Sequence, residues 1–364
     1  MINLALFGCG RRTCQLLDAL NQDEFYRVHA VYDLREESAL NMVRQRGGTV
    51  CKSQEELIAF PGVDAFLISL NPFAQAEALR KCIPAGKPIF VEKPVAFTGK
   101  ETWELTQLAE KYHVPVQVGF MRRYLPDTVA LFDYIKNNAP GRLFSVDCEW
   151  FHHGEDNLLY LQRHDPNNFR LQMSQVPFHC CHMLDVMVMA GGPVTRVHSE
   201  LIKTDMLSAY PSPDDLSSHF TFANGGTGRF HYSGVVYYGA MGYRFHYENY
   251  SIKMNVNPEK LGLTIHPRPR FMTSRIGTTP EEKATMIPTY NKFCQPVHVS
   301  FPQEPPLVTE NIMYDFVLMV RDGVPPAADL RAATRVQGLA EAMELSGKLG
   351  KTIEMDENGL PILN

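Results

Sequence analysis

The chain has no Cys-x-x-Cys pair, no apolar run of 18 residues and no excess of basic charge. Its eight cysteines are scattered at 9, 14, 51, 82, 148, 180, 181 and 294, and 364 residues bury enough core to need no disulfide staples. A reduced, intracellular protein is the simplest expectation. Met1-Ile2-Asn3-Leu4-Ala5-Leu6-Phe7-Gly8 enters a strand directly, without a basic segment or cleavage site. Neither export nor a membrane span is expected, and the expected location is cytoplasmic. A formal net charge of −5 gives no reason to expect nucleic acid. At 45% hydrophobic and 21% charged, the composition is that of an ordinary globular protein of two domains.

The apolar run Ile2 to Phe7 suits a buried parallel strand. Gly8-Cys9-Gly10-Arg11-Arg12-Thr13 follows, and then a helical pattern with Leu16, Leu17 and Leu20 on one face. Strand, glycine turn and helix are the context of a dinucleotide fingerprint. Gly8 permits the tight turn, and Gly10 lets N–H groups approach a pyrophosphate at the helix N-terminus, beside Arg11 and Arg12. Thr13 replaces the third glycine, where a small residue still fits. A second strand, Val28 to Tyr32, ends at Asp33, 25 residues after Gly8. That carboxylate suits the ribose hydroxyls of NAD, whereas Arg35 favours a 2′-phosphate. NAD is the expected cofactor and NADP the alternative. Asp33 also fits a plain helix-capping role.

Strand and helix patterns alternate onward. Gln54 to Phe60, Phe73 to Ile83 and Thr102 to Tyr112 read as helices, and Ala65 to Leu70, Pro88 to Val91 and Pro115 to Gly119 as strands. This predicts a doubly wound parallel sheet ending near Arg122. Pro88 to Val91 delivers Glu92-Lys93-Pro94 at the strand's C-terminal end, where open α/β sheets bind ligands. A recessed lysine there can polarise a hydroxyl or pass a proton. Taken alone, the tripeptide fits a surface lysine in a strand-to-loop turn better.

The glycine turn, Asp33, Glu92-Lys93-Pro94 and Val118-Gly119-Phe120-Met121-Arg122-Arg123-Tyr124 occur in order, followed by His182-Met183-Leu184-Asp185 and a closing helix, Ala332 to Leu349. Over nearly its whole length the chain resembles the glucose–fructose oxidoreductase, inositol dehydrogenase and MocA family of NAD(P)-dependent oxidoreductases. The resemblance implies an α/β fold: an N-terminal Rossmann domain (1–122) and a C-terminal α+β domain (123–364) with a large, mostly antiparallel open sheet. In such proteins that sheet commonly forms the interface of a dimer or tetramer, and the closing helix is expected to pack back on the Rossmann domain. Gly141 to Phe151, Val194 to Lys203, His219 to Phe222, Thr227 to Ser233 and Tyr243 to Met254 read as its strands, and His179 to Met189 as a helix.

The implied activity is hydride transfer between NAD and a secondary alcohol of a sugar, glycoside or cyclitol. Lys93 would polarise the hydroxyl, His182 would serve as base or acid, and Asp185 would orient His182. His179, His182 and Asp185 fall at i, i+3 and i+6 on one helical face. The family's aspartate four residues before the histidine is Phe178 here, and His179 is the local candidate to compensate. Its Pro-Asn is altered to Asn71-Pro72, with Gln75 where a histidine is frequent. Cofactor contacts are further expected from Ser69, Asn71, Gln75, Glu92, Lys93 and Arg122. Substrate contacts are expected from Lys93, Tyr124, His153, Tyr160, Arg163, His179 and His182.

Within His179-Cys180-Cys181-His182 the cysteines point away from the histidine face, so no metal is expected. The eight aromatic residues between Phe230 and Tyr250 fit either sheet packing or stacking on sugar faces. The segment from Pro258 to Pro306, with nine prolines, reads as an irregular excursion. A glycoside 3-dehydrogenase or a glycosidase that retains its NAD is the alternative within the enzyme class. A non-enzymatic NAD- or sugar-binding regulator is the alternative outside it.

Overall fold

A computed structural model describes residues 1–153, 163, 173–204, 212–255, 262–267, 297–300 and 308–363. Six strands form the first sheet: β1 (Ile2–Phe7), β2 (Tyr26–Tyr32), β3 (Thr49–Val50), β4 (Ala65–Ile68), β5 (Ile89–Val91) and β6 (Val116–Val118). Their order is β3-β2-β1-β4-β5-β6, and every pairing is parallel. Chain direction switches between β1 and β4, which opens a crevice at their C-terminal ends. β4 and β5 are buried along their whole length, as expected of parallel strands covered on both faces.

The connections are α1 (Arg11–Leu17), α2 (Gln22–Phe25), α3 (Glu36–Arg46), α4 (Gln54–Ile58), α5 (Pro72–Cys82) and α6 (Gly99–Lys111). Side-chain caps fix four of their starts: Asn21 for α2, Ser53 for α4, Asn71 for α5 and Thr98 for α6. A tight turn at Met121–Tyr124 then leads to α7 (Pro126–Asn137).

The second sheet has nine strands: β7 (Leu143–His153), β8 (Val194–Ile202), β9 (Asp215–Phe222), β10 (Thr227–Ser233), β11 (Val235–Tyr247), β12 (Tyr250–Asn255), β13 (Gly262–Pro267), β14 (Val297–Ser300) and β15 (Ile353–Glu354). Their order is β14-β13-β12-β11-β7-β10-β9-β8-β15, with β7 and β10 parallel and the other neighbours antiparallel. Buried and open residues alternate along β9 and β10, so one face packs and the other does not. The packed face meets α8 (Cys181–Gly191) and α10 (Leu330–Leu349), with Val186, Met187, Phe220 and Phe230 in one core.

Three sequence expectations are corrected. Tyr243 to Met254 is not one strand but the facing halves of the β11–β12 hairpin. The excursion 258–306 contains β13 and β14, which extend the sheet edge. A helix the sequence reading missed, α9 (Val308–Asp322), sets Ile312, Met313, Phe316 and Val317 into the core of the first sheet rather than the second.

α10 crosses α6 closely, because Gly99 meets Gly338; a Cβ on Gly99 would lie 3.0 Å from the Gly338 Cα. The contact is closed by the Thr106 and Thr334 hydroxyls at 3.0 Å and by the Gly99 N–H donating to Glu341 Oε1 at 3.0 Å. Among the described residues, no helix is long and apolar enough to cross a membrane.

Candidate functional site

The glycine turn lies at the mouth of the crevice. Gly8 has φ +90°, and a Cβ there would come within 2.5 Å of the Ser69 carbonyl oxygen, so both conformation and space demand glycine. A Cβ at Gly10 would meet nothing within 4 Å, which leaves room for a ligand to approach the backbone at the start of α1. Thr13 is fully buried and donates its hydroxyl to the Gly8 carbonyl at 2.8 Å, so the departure from glycine braces the turn. Arg11 is exposed on the first turn of α1.

Asp33 is fixed by backbone donors. Oδ2 accepts from the Cys9 N–H at 2.8 Å and Oδ1 from the Arg35 N–H at 2.9 Å. The Arg35 side chain is 77% exposed, and its Nε stands 3.9 Å from Asp33 Oδ1. These residues fit a dinucleotide: a tight turn, an open backbone and a braced carboxylate at the end of β2.

At the end of β5, Glu92 is buried. Its Oε1 accepts from Arg12 Nε at 2.6 Å, and its Oε2 from the Lys93 backbone N–H at 3.2 Å. Gly119 makes room for it, since a Cβ there would fall 2.9 Å from Glu92 Oε2. The Lys93–Pro94 peptide is cis.

Gln75 holds this turn and is not free for a cofactor. It is buried, with Nε2 donating to the Glu92 carbonyl and, at 2.8 Å, to the Pro94 carbonyl, while Oε1 accepts from the Leu70 N–H at 3.3 Å. Asn71 Oδ1 is likewise engaged, accepting from the Ala74 N–H at 3.1 Å.

The turn faces residues 176–180, which form a π-helical turn rather than the start of a regular α-helix. Pro177, which has no N–H to donate, sits in its first positions. Lys93 Nζ donates to the Phe178 carbonyl at 3.0 Å and stands 4.8 Å from the centre of the Phe178 ring. His182 follows in the first turn of α8. Its ring keeps some accessible surface, but Nδ1 is sealed off and has no hydrogen-bond partner among the described residues. Burial, then the charge of Lys93, then Arg122, His179 and Arg12 hold this imidazole well below its usual pKa, so it is neutral at neutral pH.

Asp185 does not orient His182. Both of its oxygens are taken by Arg123, with Nε to Oδ2 at 2.8 Å and Nη2 to Oδ1 at 2.6 Å. Arg123 also reaches the Ala327 carbonyl. The sequence reading missed Arg123, although its place next to Arg122 in a turn between the two sheets was visible.

The other expected residues are dispersed. Arg122, an expected cofactor contact, is paired with Asp127 at 3.6 Å and lies 5.5 Å from the Tyr243 ring centre. Tyr124, an expected substrate contact, is buried in the core of the first sheet, its hydroxyl 3.5 Å from Gln117 Nε2. His179 is half-buried, edge-on to Trp150 with ring centres 6.0 Å apart. Arg163 is exposed. His153 ends β7, and its side chain and Tyr160 lie outside the described residues.

The model of the oxidoreductase family with an NAD-binding Rossmann fold, GFO/IDH/MocA, matches residues 2–120. The match spans the first sheet and its helices, so it is this N-terminal part of the chain that is similar to that family. The rhizopine catabolism protein MocA of Rhizobium meliloti is 26% identical over 196 residues, 48% of this chain and 62% of that protein. The myo-inositol dehydrogenase Hyg17 of Streptomyces leeuwenhoekii is 32% identical over 183 residues, 49% of this chain and 51% of that protein. The chain thus spans less than two thirds of the curated relatives it matches. A levoglucosan dehydrogenase solved with NADH superposes at TM-score 0.76, with 18% identity and coverage of 97% of this chain and 98% of that one, a likeness of fold. Phe178, where the resemblance led to the expectation of an aspartate, meets Lys93 with its carbonyl and its ring.

Proposed function

We propose that the protein is an NAD-dependent oxidoreductase that moves hydride between a secondary alcohol of a sugar, glycoside or cyclitol and the nicotinamide. The observation that carries this reading is the contact of Lys93 with the π-turn at 3.0 Å, four residues before His182, whose Nδ1 is unpartnered. It joins a fixed ammonium at the cofactor crevice to a neutral imidazole on the second domain.

Bound NAD would supply the hydride acceptor. Gly8, Gly10 and Asp33 would hold it, with Arg11 at the phosphate end. Lys93 has three donor positions, of which Phe178 occupies one, so two remain to hold and polarise a substrate hydroxyl. His182, kept neutral, can accept the hydroxyl proton during oxidation and return it in reduction. Asp185 and Arg123 act through α8: their buried pair fixes the turn that carries His182. Asp33, with its braced oxygens directed by β2, favours NAD over NADP.

A panel of free sugars, cyclitols and glycosides, each with NAD and with NADP, tests the reading by absorbance of the reduced cofactor. Reduction of NAD by at least one class supports it. Tight NAD binding without reduction across the panel supports the regulator instead. Release of free aglycone without net reduced cofactor supports the NAD-retaining glycosidase.

A further inference from the structure

One edge of α10 reaches both halves of the Lys93 contact. Gln337, Glu341 and Glu344 lie at i, i+4 and i+7, on one face of that helix. Gln337 Nε2 donates to the Phe97 carbonyl at 3.1 Å, and Glu341 Oε1 accepts the Gly99 N–H at 3.0 Å. These bonds hold the segment that leaves Glu92-Lys93-Pro94. Further along the same edge, Glu344 Oε1 accepts the hydroxyl of Ser174, at the entrance to the π-turn.

The N–H groups of residues 175, 176 and 178 are each met there, and Glu344 sets how. The proton of Ser174 Oγ is committed to the carboxylate, so that oxygen acts as acceptor. It takes the Val176 N–H at 3.2 Å and the Ser212 hydroxyl at 3.1 Å. This leaves Ser212 Oγ to accept the Gln175 N–H at 3.0 Å. Pro177 has no N–H, and the Phe178 N–H goes to the Ser174 carbonyl at 3.3 Å. The Phe178 carbonyl is then presented to Lys93 Nζ at 3.0 Å. Burial raises the Glu344 carboxyl, while the Ser174 hydroxyl and Lys348 Nζ, 3.4 Å from Oε2, oppose that rise.

We infer that Glu344 is a positioning residue for the candidate site: through Ser174 it fixes the π-turn so that the Phe178 carbonyl meets Lys93 and His182 meets the substrate hydroxyl. The placement of His182 against a substrate rests on the dehydrogenase reading; the placement of Phe178 against Lys93 does not.

The test uses the full chain with three substitutions. Glu344→Ala removes the acceptor, whereas Glu344→Gln removes only the charge, because its amide oxygen can still take the Ser174 hydroxyl. Ser174→Ala removes the hydroxyl and leaves Glu344 in place. Each variant is read by turnover with NAD and the best alcohol of the panel, by NAD affinity, and by NMR titration of the His182 ring without substrate. The two alanine variants are expected to lose about tenfold or more in kcat while NAD affinity and the Glu344→Gln turnover stay within a few-fold of native. Loss of a carboxylate would by itself lower the pKa of an imidazole. Release of the turn instead relaxes the burial and the Lys93 contact that depress His182, so His182 is expected to titrate higher in Glu344→Ala than in Glu344→Gln. Native kcat and a native His182 titration in either folded alanine variant, or an equal loss in Glu344→Gln, overturns the inference. If the native chain reduces NAD with no alcohol of the panel, the dehydrogenase reading falls and the His182 titration alone decides the inference.

Discussion

The Lys93 ammonium lies 3.0 Å from the carbonyl oxygen of Phe178 and 4.8 Å from the centre of its ring. A strand end of the first sheet is thereby tied to the turn that launches the helix of His182. Because neither partner is charged, Lys93 keeps its positive field, and that field falls on His182.

That field predicts a titration. Burial and then Lys93 are the largest causes of the lowered His182 pKa, and both disfavour imidazolium. In the native protein the acid limb of kcat/KM is therefore expected below the usual histidine value near 6.5, not at it. Lys93→Met removes a cation and must move His182 upward. Proton NMR of the His182 ring across pH reads the shift directly. A pKa that is unchanged or lower in the variant contradicts the arrangement.

Asp185 is fully buried and held only through Arg123 among its described partners. Burial raises its pKa and the two Arg123 hydrogen bonds oppose that rise. Removing one partner of a buried pair leaves an uncompensated charge, so Arg123→Ala is expected to cost about 3–5 kcal/mol in urea unfolding. The apolar double substitution Arg123→Met with Asp185→Leu should recover most of that loss. Equal losses in the single and double variants would mean the pair is not the cause.

Stability should also fall with rising pH through one contact between α10 and α6. Burial raises the Glu341 carboxyl from 4.5 to about 7, against the opposing hydrogen bond from the Gly99 N–H. The folded state then holds a proton that the unfolded state releases between pH 4.5 and about 7. The contribution is full below that window and is lost as pH rises through it, roughly 3 kcal/mol. Urea unfolding from pH 4.5 to 8 should show this slope, and Glu341→Gln should flatten it.

Cofactor choice is expected to turn on Asp33. Its oxygens are aimed by the Cys9 and Arg35 N–H groups. Asp33→Ser should weaken NAD binding about tenfold or more and narrow the gap to NADP, with Arg35 free to meet a 2′-phosphate. Protein fluorescence titrated with each cofactor measures both constants. Unchanged NAD affinity would remove Asp33 from the site.

The parallel sheet was legible because buried strands such as Ala65–Ile68 are continuous apolar runs between turn residues and helix caps. The glycine turn, Asp33, Lys93 and His182 were legible as fixed points of one motif order. Side-chain choices were not. Asp185 has the spacing to serve His182, yet Arg123, 62 residues earlier, outcompetes the imidazole because two charge-assisted bonds exceed one. Gln75 and Tyr124 occupy plausible site positions by sequence, but tertiary packing spends them on a turn and a core. Nothing in the spacing around Pro177 signalled the π-turn that brings the Phe178 carbonyl to Lys93.

The most direct measurement is turnover of Lys93→Met on the best substrate of the panel, with NAD affinity measured alongside. The account predicts a loss in kcat of about 10²-fold or more with NAD binding held within a few-fold. Full turnover by that variant, with the cofactor bound normally, would contradict it.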